Sequence, residues 1–488
     1  MKFGGTSVGT AKNLLNVKRI VEANTDSVIV VVSALGGLTD KLIETARLAE
    51  AGDVLFEKNM TEIVDRHNSI VTQLIPVGNE RDDLLHQVND LQTALHQHYR
   101  DVFDSRELSA PKMAAIVSYG ERLSSIIVAT LIDGARWFDS LSFIKTEYKH
   151  HKHKLSGELT DQLIHEKFKQ LPKVALVPGF ISTDMHTGEI TNLGRGGSDY
   201  TAAILAAALD ADCLEIWTDV DGFMTADPRL IPSASPIKEL SYNEAEELCN
   251  YGAKVVYPPT IYPVWYKDIP VLIKNTMNPE APGTYIRHIE QSEEISSAGI
   301  SSSENASTED ASAGIESKQE FPVTKESSIK GISSVKDTCL ITISGVQEKD
   351  QAELGRNLSQ SLSDECIQVL VSVQHPSENH LLVGVKKEDT EFACSTLQKT
   401  LLAQEALTET QEKYQLEVTT DLSTIAMVGK VTGQSPDILA CLKDNLDKRG
   451  VNVFTPCLEH SGLTFAYMVA SADLHTALEA THVTAFQQ

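Results

Sequence analysis

Short runs of β-branched residues alternate with amphipathic helices in the first part of this 488-residue chain. Residues 28–33 read VIVVVS, a pattern typical of a strand that is covered on both faces of its sheet. Comparable runs lie at residues 174–177, 213–217 and 270–273, and helical patterns lie between them at residues 11–24, 40–51, 121–133 and 200–210. The alternation predicts an α/β sandwich with a mostly parallel sheet.

A longer helical section, residues 56–103, interrupts this alternation. Its composition is polar, which favours a helical hairpin on the surface of the domain. We expect the section to be an insertion or a lid.

The second part of the chain has a different character. Residues 288–327 are rich in Ser, Glu and Ala and poor in aromatics, which predicts a flexible acidic linker between a domain at residues 1–287 and a tail at residues 328–488. In the tail, strand patterns at residues 339–344, 369–373, 381–385, 424–428, 451–454 and 464–469 alternate with helical patterns at residues 351–363, 390–403, 437–448 and 474–481. The order βαββαβ, seen about twice, predicts two ferredoxin-like modules.

Charge and composition exclude several classes of function. The formal net charge of −26 should repel nucleic acid and anionic membrane surfaces. No apolar run approaches the roughly 18 residues of a membrane span, and the N-terminus has no apolar signal-peptide segment. Seven cysteines without a C-x-x-C pair predict neither a disulfide framework nor a zinc site, and they favour a cytoplasmic protein.

One histidine cluster could be mistaken for a metal site. Residues 149–154 read KHHKHK, so three histidines lie among three lysines. The lysine charges oppose a bound cation, and we therefore predict a basic surface segment.

Near the N-terminus, a glycine turn follows a short strand and opens a helix. Lys2 is followed by Gly4, Gly5 and Ser7 in the sequence KFGGTSVG. Glycines in such a turn let backbone N–H groups approach phosphate oxygens, and the lysine can place an ammonium on a phosphoryl group. An ordinary tight turn would have the same sequence, and the Walker pattern is absent.

A second glycine-rich turn, LGRGGSD at residues 193–199, opens an alanine-rich helix. Arg195 offers a bidentate contact to a carboxylate or phosphate. Asp199 is expected at the helix start, where an acid is also a common capping residue.

Further polar segments follow predicted strands or open helices. These are SALGGLTD (33–40), SYGERLS (118–124), TDVDG (218–222), DPR (227–229) and YGAKVVYP (251–258). Polar groups at the carboxyl ends of parallel strands are where α/β proteins bind ligands. Within SYGERLS, Glu121 could bind an ammonium group or be a first-turn acid of a helix that begins there.

In this order and on strand ends, the segments match one family. KFGGTSVG, SYGERLS, LGRGGSDYTA, EIWTDVDG, DPR, YGAKVVYP and IKNT…PGT resemble aspartate kinase, a member of the amino-acid kinase superfamily, over residues 1 to about 287. The block from Ile329 onward looks like paired ACT domains. The details are most similar to the kinase half of bifunctional aspartate kinase–homoserine dehydrogenases. The resemblance implies a three-layer sandwich followed by two ACT domains.

The resemblance also implies roles for individual residues. Lys2 would contact the β- and γ-phosphates of ATP, Asp199 would orient Lys2, and Gly4, Gly5 and Ser7 would cradle phosphate. The residues that align with the aspartate site are Thr39, Glu121, Arg195, Gly196, Gly197 and Ser198. Those that align with the nucleotide site are Thr218, Asp219, Met224, Arg229, Lys254 and Val255, with Met224 replacing the family's usual tyrosine.

Within the aspartate site, Arg195 is assigned to a substrate carboxylate and Glu121 to the α-ammonium. The implied reaction transfers the γ-phosphate of ATP to the β-carboxylate of L-aspartate, in lysine, threonine and methionine biosynthesis. Mg²⁺ is the implied metal, held mainly by phosphates and water, so no protein ligand is assigned. The ACT domains imply an amino-acid effector and a homo-oligomer.

Two other functions remain open from the sequence. One is a sibling amino-acid kinase acting on glutamate, acetylglutamate, carbamate or UMP. The other is a non-catalytic subunit that senses an amino acid and pairs with an active kinase. The paired tail modules and the combination of Glu121 with Arg195 argue against the first. Retention of Lys2, Arg195, Asp199 and Asp219 argues against the second.

Overall fold

The computed structural model describes residues 1–149, 152–289, 329–346, 348–375, 379–407, 414–430, 436–458 and 462–486. Nearly all of the predicted linker, residues 288–327, and the histidines at positions 150 and 151 lie outside the described residues. The linker prediction therefore stays a prediction.

The elements of the N-terminal part are as follows. Its strands are β1 (Lys2–Phe3), β2 (Val28–Val32), β3 (Ala135–Trp137), β4 (Lys145–Lys149), β5 (Lys152–Leu155), β6 (Val174–Pro178), β7 (Ile181–Asp184), β8 (Ile190–Asn192), β9 (Leu214–Thr218), β10 (Glu239–Leu240), β11 (Val271–Asn275) and β12 (Thr284–Ile286). Its helices are α1 (Gly5–Val8), α2 (Ala11–Glu22), α3 (Leu38–Ala51), α4 (Leu55–Leu74), α5 (Asn79–Ser105), α6 (Ala110–Leu131), α7 (Gly157–Lys167), α8 (Gly197–Ala208), α9 (Tyr242–Asn250) and α10 (Tyr262–Trp265).

The elements of the C-terminal part continue the series. Its strands are β13 (Ile329–Ser344), β14 (Val371–His375), β15 (His380–Lys386), β16 (Gln415–Gly429), β17 (Cys457–Leu458) and β18 (Thr464–Ala470). Its helices are α11 (Glu348–Asp364), α12 (Thr390–Leu407), α13 (Pro436–Lys448) and α14 (Leu474–Phe486).

An eight-stranded sheet with the order β10-β12-β11-β9-β1-β2-β6-β3 forms the centre of the N-terminal part. Its strands are parallel except at the β11–β12 pair. β1 has only two residues, yet it is central, because Lys2 lies between Val31 of β2 and Ile216 of β9. The predicted α/β sandwich with a mostly parallel sheet is confirmed.

Alternate residues of the sheet pack into two separate hydrophobic cores, one on each face. Val30 and Val32 of β2 belong to the core that α2, α3 and α6 cover. Val31, between them, belongs to the opposite core, which α8 and α9 cover. Both faces of the sheet are therefore buried, which explains why the strand sequences are continuously apolar.

The predicted helical hairpin at residues 56–103 corresponds to α4 and α5, but it is not a lid. Leu84, Val88, Leu95 and Tyr99 of α5 are fully buried in the same core as α3 and α6. The polar composition reflects only the outer face of the two helices. The hairpin is thus a fixed part of the domain.

Helix α6 begins eleven residues earlier than the sequence pattern predicted. Ser109 caps it by accepting a hydrogen bond from the Lys112 N–H at 3.4 Å, and a proline lies in its first turn. The helix tolerates Gly120 in its interior for a packing reason. Any larger residue at this position would clash, since a Cβ there would come within 2.7 Å of the Ala34 Cβ. The expectation that Glu121 opens a helix is therefore wrong.

α6 is also the one helix, among the described residues, that is long and apolar enough to cross a membrane. Of its most apolar window, 72% is buried inside the domain, as in the core helix of a globular protein. Its apolar character is accounted for by packing against the sheet.

The C-terminal part is built on one antiparallel sheet with the order β14-β15-β13-β16-β18-β17. β13 and β16 are long strands that pair along nearly their whole length. The second half of β13 pairs with β15, and the second half of β16 pairs with β18. The two predicted ferredoxin-like modules therefore share a continuous sheet, with the first module inserted after the opening strand of the second.

A smaller four-stranded sheet, β5-β4-β7-β8, was not predicted. It carries the described part of the basic segment, where His153 Nδ1 lies 3.5 Å from Asp184 Oδ2. The described residues contain no group of three or more His, Cys, Asp or Glu side chains that could hold a metal ion.

The two parts of the chain contact each other through α9 and the segment before it. The Ile332 N–H donates to the Thr225 carbonyl at 2.8 Å, and Thr464 Oγ1 donates to Glu247 Oε2 at 2.8 Å. Tyr251 is buried against the C-terminal sheet, and its hydroxyl donates to the Leu370 carbonyl at 2.7 Å. Hydrogen bonds therefore join the two parts of the chain.

Replacing Tyr251 by phenylalanine should destabilise this contact. The buried Leu370 carbonyl would lose its donor, which we expect to cost about 1–2 kcal/mol in the free energy of unfolding. Urea unfolding followed by circular dichroism measures the effect. Tyr266→Phe is the control, since Tyr266 is 85% exposed, and an equal loss in both variants would contradict the prediction.

Candidate functional site

A cleft opens at the carboxyl edge of the eight-stranded sheet, where β1, β2 and β6 end. Its volume is about 280 Å³. It is lined by Lys2, Gly5, Ser33, Ala34, Leu35, Gly36, Gly37, Thr39, Glu121, Phe180, Gly194, Gly196, Gly197, Ser198 and Asp199. Eight of the residues predicted for catalysis, phosphate binding or substrate binding are among them: Lys2, Gly5, Thr39, Glu121, Gly196, Gly197, Ser198 and Asp199.

A lysine–aspartate pair lies at the floor of this cleft. Lys2 Nζ is 2.8 Å from Asp199 Oδ1, and the two side chains are only 11% and 13% exposed. The ammonium also lies over the glycine turn, since a Cβ on Gly4 would be 3.5 Å from Lys2 Nζ. Asp199 thus pairs with Lys2, which is the one lysine or arginine in the cleft lining.

Two loops meet backbone to backbone beside this pair. We call residues 4–9, which include the single-turn helix α1, loop A, and residues 33–37 loop B. The Gly36 N–H donates to the Gly5 carbonyl at 2.9 Å, and a Cβ on Gly5 would lie 3.1 Å from the Ala34 carbonyl oxygen. Glycine is needed at Gly5 because the loops leave no room for a side chain.

Two helices begin at the cleft without a capping side chain. Gly37 precedes α3 with φ 75°, and Gly196 precedes α8 with φ 69°, both in the left-handed region that favours glycine. Neither N-terminus is capped by a side-chain hydrogen bond. The Leu38 and Gly197 N–H groups donate to preceding carbonyls, but the helix dipoles still favour bound anions, and together with Lys2 they make the cleft suited to two negatively charged groups.

Glu121 places a buried carboxyl at the wall of the cleft. Its Oε1 accepts a hydrogen bond from the Ala34 N–H at 3.1 Å, whereas Oε2 is buried without a partner. Burial raises the pKa of Glu121 from 4.5 to about 8, partly offset by hydrogen bonding and by the charge of Lys2. A buried carboxylate oxygen without a partner is stabilised by a ligand that supplies a positive charge or a hydrogen-bond donor.

The family assignment follows from the whole N-terminal part. The model of the amino acid kinase family matches residues 1–275, which is more than half of the chain. The chain belongs to the amino acid kinase family.

Curated relatives agree with this membership. The chain is 28% identical over 510 residues to the bifunctional aspartokinase/homoserine dehydrogenase of Haemophilus influenzae, covering 100% of this chain and 56% of that protein. It is 33% identical over 300 residues to the aspartokinase of Chlamydia pneumoniae, covering 60% of this chain and 63% of that protein. The chain spans about half the length of the bifunctional relatives that it matches.

A solved structure extends the likeness to both parts of the chain. E. coli aspartokinase III in complex with aspartate and ADP has a TM-score of 0.73 and 23% sequence identity, covering 99% of both chains. The same protein in complex with lysine and aspartate has a TM-score of 0.70. The predicted resemblance to aspartate kinases and the predicted fold, amino-acid kinase sandwich followed by ACT domains, are confirmed.

Two residues predicted for ligand binding do not face the cleft of this family member. The Ser7 side chain is fully buried, with Oγ 2.7 Å from Thr276 Oγ1 and 3.3 Å from the Trp217 carbonyl oxygen. Its hydroxyl is thus engaged by the protein. Arg195 is exposed at the rim, with its guanidinium 5.4 Å from the centre of the Tyr257 ring.

The six residues predicted for the nucleotide lie outside the cleft lining. Thr218 is the last residue of β9 and Asp219 follows it, next to β1, which keeps both at the same edge of the sheet. Arg229 is 83% exposed and pairs with Asp227 at 2.7 Å, which raises the pKa of the arginine. Met224, Lys254 and Val255 are half-buried or exposed. Their nucleotide roles stay predictions.

Phe180 and Gly194 line the cleft but were not predicted. Phe180 adopts φ 67°, and a Cβ on Gly197 would come within 2.7 Å of its ring. The residues of loop B were noticed as a motif but were not assigned to the site. The signal for Phe180 was weak because PGF after a strand is a common turn sequence.

Proposed function

We propose that this chain is an aspartate kinase, which transfers the γ-phosphate of ATP to the β-carboxylate of L-aspartate and forms 4-phospho-L-aspartate, the first step of lysine, threonine and methionine biosynthesis. The observation that carries the proposal is the placement of the unpartnered Glu121 Oε2 in the same cleft as the Lys2–Asp199 pair. The Glu121 carboxyl suits a substrate ammonium, and the Lys2 ammonium suits a phosphoryl group.

The proposed chemistry needs no general base. The nucleophile is the β-carboxylate of aspartate, whose ordinary pKa of about 3.9 leaves it ionised at neutral pH. The enzyme must hold two anions together and offset their repulsion. Lys2 and the uncapped N-termini of α3 and α8 supply positive potential for this, and Glu121 orients the amino acid by its ammonium. Thr39, Gly196, Gly197 and Ser198 line the space beside it.

ATP and Mg²⁺ are the proposed partners of this site. Magnesium prefers oxygen ligands and keeps much of its water. The part of the chain that the structure describes holds no dedicated cluster of metal ligands, which fits an ion held mainly by phosphate oxygens. Asp199 is the cleft carboxylate that would face such an ion. When bound, Mg²⁺ would neutralise charge on the phosphates.

The experiment is phosphate transfer from Mg-ATP, with the acyl phosphate trapped as a hydroxamate. We expect product with L-aspartate and none with glutamate, N-acetylglutamate, carbamate or UMP. Product with another acceptor alone would replace the proposal by a sibling kinase. No turnover with any acceptor would leave the amino-acid-sensing subunit as the better explanation.

We further propose that the C-terminal modules bind an amino-acid effector and that the protein is a cytoplasmic homo-oligomer. The presence of lysine in one structure of E. coli aspartokinase III supports the effector. None of the seven cysteines, all of which lie in the described residues, forms a disulfide, which supports a reducing compartment. Light scattering measures the number of subunits. Calorimetry with lysine and with threonine measures whether either amino acid binds.

A further inference from the structure

A single arginine on the helical hairpin joins the two loops of the cleft. Arg66, on α4, is half-buried, and its Nη2 donates to the Gly9 carbonyl at 3.1 Å and to the Gly36 carbonyl at 2.9 Å. Gly9 ends loop A and Gly36 belongs to loop B. One nitrogen atom therefore connects the loop that carries the phosphate side of the cleft with the loop that carries its substrate side.

The two loops also contact each other directly. The Gly36 N–H donates to the Gly5 carbonyl at 2.9 Å, and Val8 of loop A shares a hydrophobic core with Ala34 and Leu35 of loop B. Loop B in turn fixes Glu121, because the Ala34 N–H donates to Glu121 Oε1 at 3.1 Å. A shift of loop B would therefore move the group that suits the substrate ammonium relative to Lys2.

The contacts of Arg66 are not those of an ordinary surface arginine. Its side-chain hydrogen bonds among the described residues go to these two carbonyls, and no described carboxylate lies within ion-pair distance. Keeping a half-buried guanidinium without a carboxylate partner costs desolvation energy. The carbonyl dipoles of both loops offset this cost only while the loops stay together.

We propose that Arg66 is a positioning residue that sets the spacing between loop A and loop B, and thereby the distance between the phosphoryl group and the accepting carboxylate. The proposal rests on the proposed kinase function for its effect on rate. In-line transfer needs reacting atoms about 3–3.5 Å apart, and a displacement of about 1 Å can cost about 10²-fold in rate. Arg66 itself does not line the cleft, and it acts on the lining only through the carbonyl of Gly36.

The test compares Arg66→Met with Arg106→Met in the full-length chain. Arg106 is a matched control, because it also leaves a helix of the hairpin to donate to a backbone carbonyl, that of Ala49 at 3.2 Å, away from the cleft. We expect Arg66→Met to lower kcat by about 30–100-fold with KM values within about threefold. Arg106→Met should keep kcat within about threefold. Arg66→Lys, whose ammonium can reach both carbonyls, should recover most of the lost rate.

Hydrogen–deuterium exchange supplies a readout that does not depend on activity. Residues 4–9 and 33–37 should exchange faster in Arg66→Met than in wild type and in Arg106→Met. If the wild type transfers no phosphate but these loops still loosen, the kinase proposal fails and the positioning role stands. Equal kcat or equal loop exchange in the two Met variants would overturn the inference. If Arg66→Met does not fold, Arg66→Gln, whose side chain is shorter and uncharged, takes its place with the same expected direction.

Discussion

Replacing Lys2 by alanine is expected to lower kcat for aspartyl phosphate formation by about 10³-fold, while KM for aspartate changes little. Lys2 carries the one ammonium in the cleft lining, and Asp199 holds it in place. Its positive charge is needed most in the transition state, where the negative charge of the transferring phosphoryl group is redistributed. The measurement is steady-state hydroxamate formation with Mg-ATP and L-aspartate.

Two further variants make this expectation specific. Asp199→Asn keeps the shape of the pair but removes its charge, so Lys2 loses its anchor and kcat should fall by about 10–10²-fold. Lys58→Ala removes a lysine that is 73% exposed and should leave kcat unchanged. If Lys2→Ala kept more than a tenth of wild-type kcat, Lys2 could not be the group that stabilises the transferring phosphoryl.

The parts of the site that sequence could predict are those whose chemistry is local. A glycine turn between a strand and a helix suggests a phosphate site without proving one, so the roles of Gly4, Gly5, Gly196 and Gly197 came from the family resemblance and stay predictions. The parallel order of the strands brings Lys2 and Asp199 together, although 197 positions separate them. Their proximity follows because both residues lie at the ends of recognisable elements.

Glu121 lines the cleft, but the local structure expected for it is wrong. The dipeptide Gly120–Glu121 looks like the start of a helix because glycine usually interrupts one. The actual start is signalled by Ser109 and Pro111, which fit a cap and a first-turn proline. Gly120 is retained for the close approach of Ala34, a contact across 86 positions that no local pattern reveals.

Arg66 and the long strands of the C-terminal sheet could not be predicted for a related reason. Arg66 occupies a polar helix position, and only the folded chain shows that Gly9 and Gly36 lie within reach of it. In β16, the side chains of residues 415–421 are exposed or half-buried, and this stretch lacks the apolar run that marked residues 424–428. The strand exists there because β13 pairs with it.

Replacing Glu121 by glutamine is expected to lower kcat/KM for aspartate by about 10–10²-fold above pH 8, because a charged acceptor for the substrate ammonium is lost. In the free enzyme, burial raises the pKa of Glu121 to about 8, so below that pH the carboxyl is mostly protonated. Wild-type kcat/KM should therefore rise about tenfold per pH unit up to pH 8 and then level off. The variant should lack this rise, and pH profiles of both enzymes measure it.

The same carboxyl should make the unliganded protein less stable as pH rises. The pKa of Glu121 is raised in the folded state, so its contribution to stability is fully present below about pH 4.5 and is lost as pH rises to about 8. Over that pH range the free energy of unfolding of Glu121→Gln should rise by up to about 4 kcal/mol relative to that of wild type. The gap in stability is measured by the Tm of both proteins as a function of pH. Aspartate should close the gap, because its ammonium compensates the buried charge. Parallel Tm curves for the two proteins would mean that Glu121 ionises without penalty, and the explanation of its role as a buried ammonium acceptor would then fail.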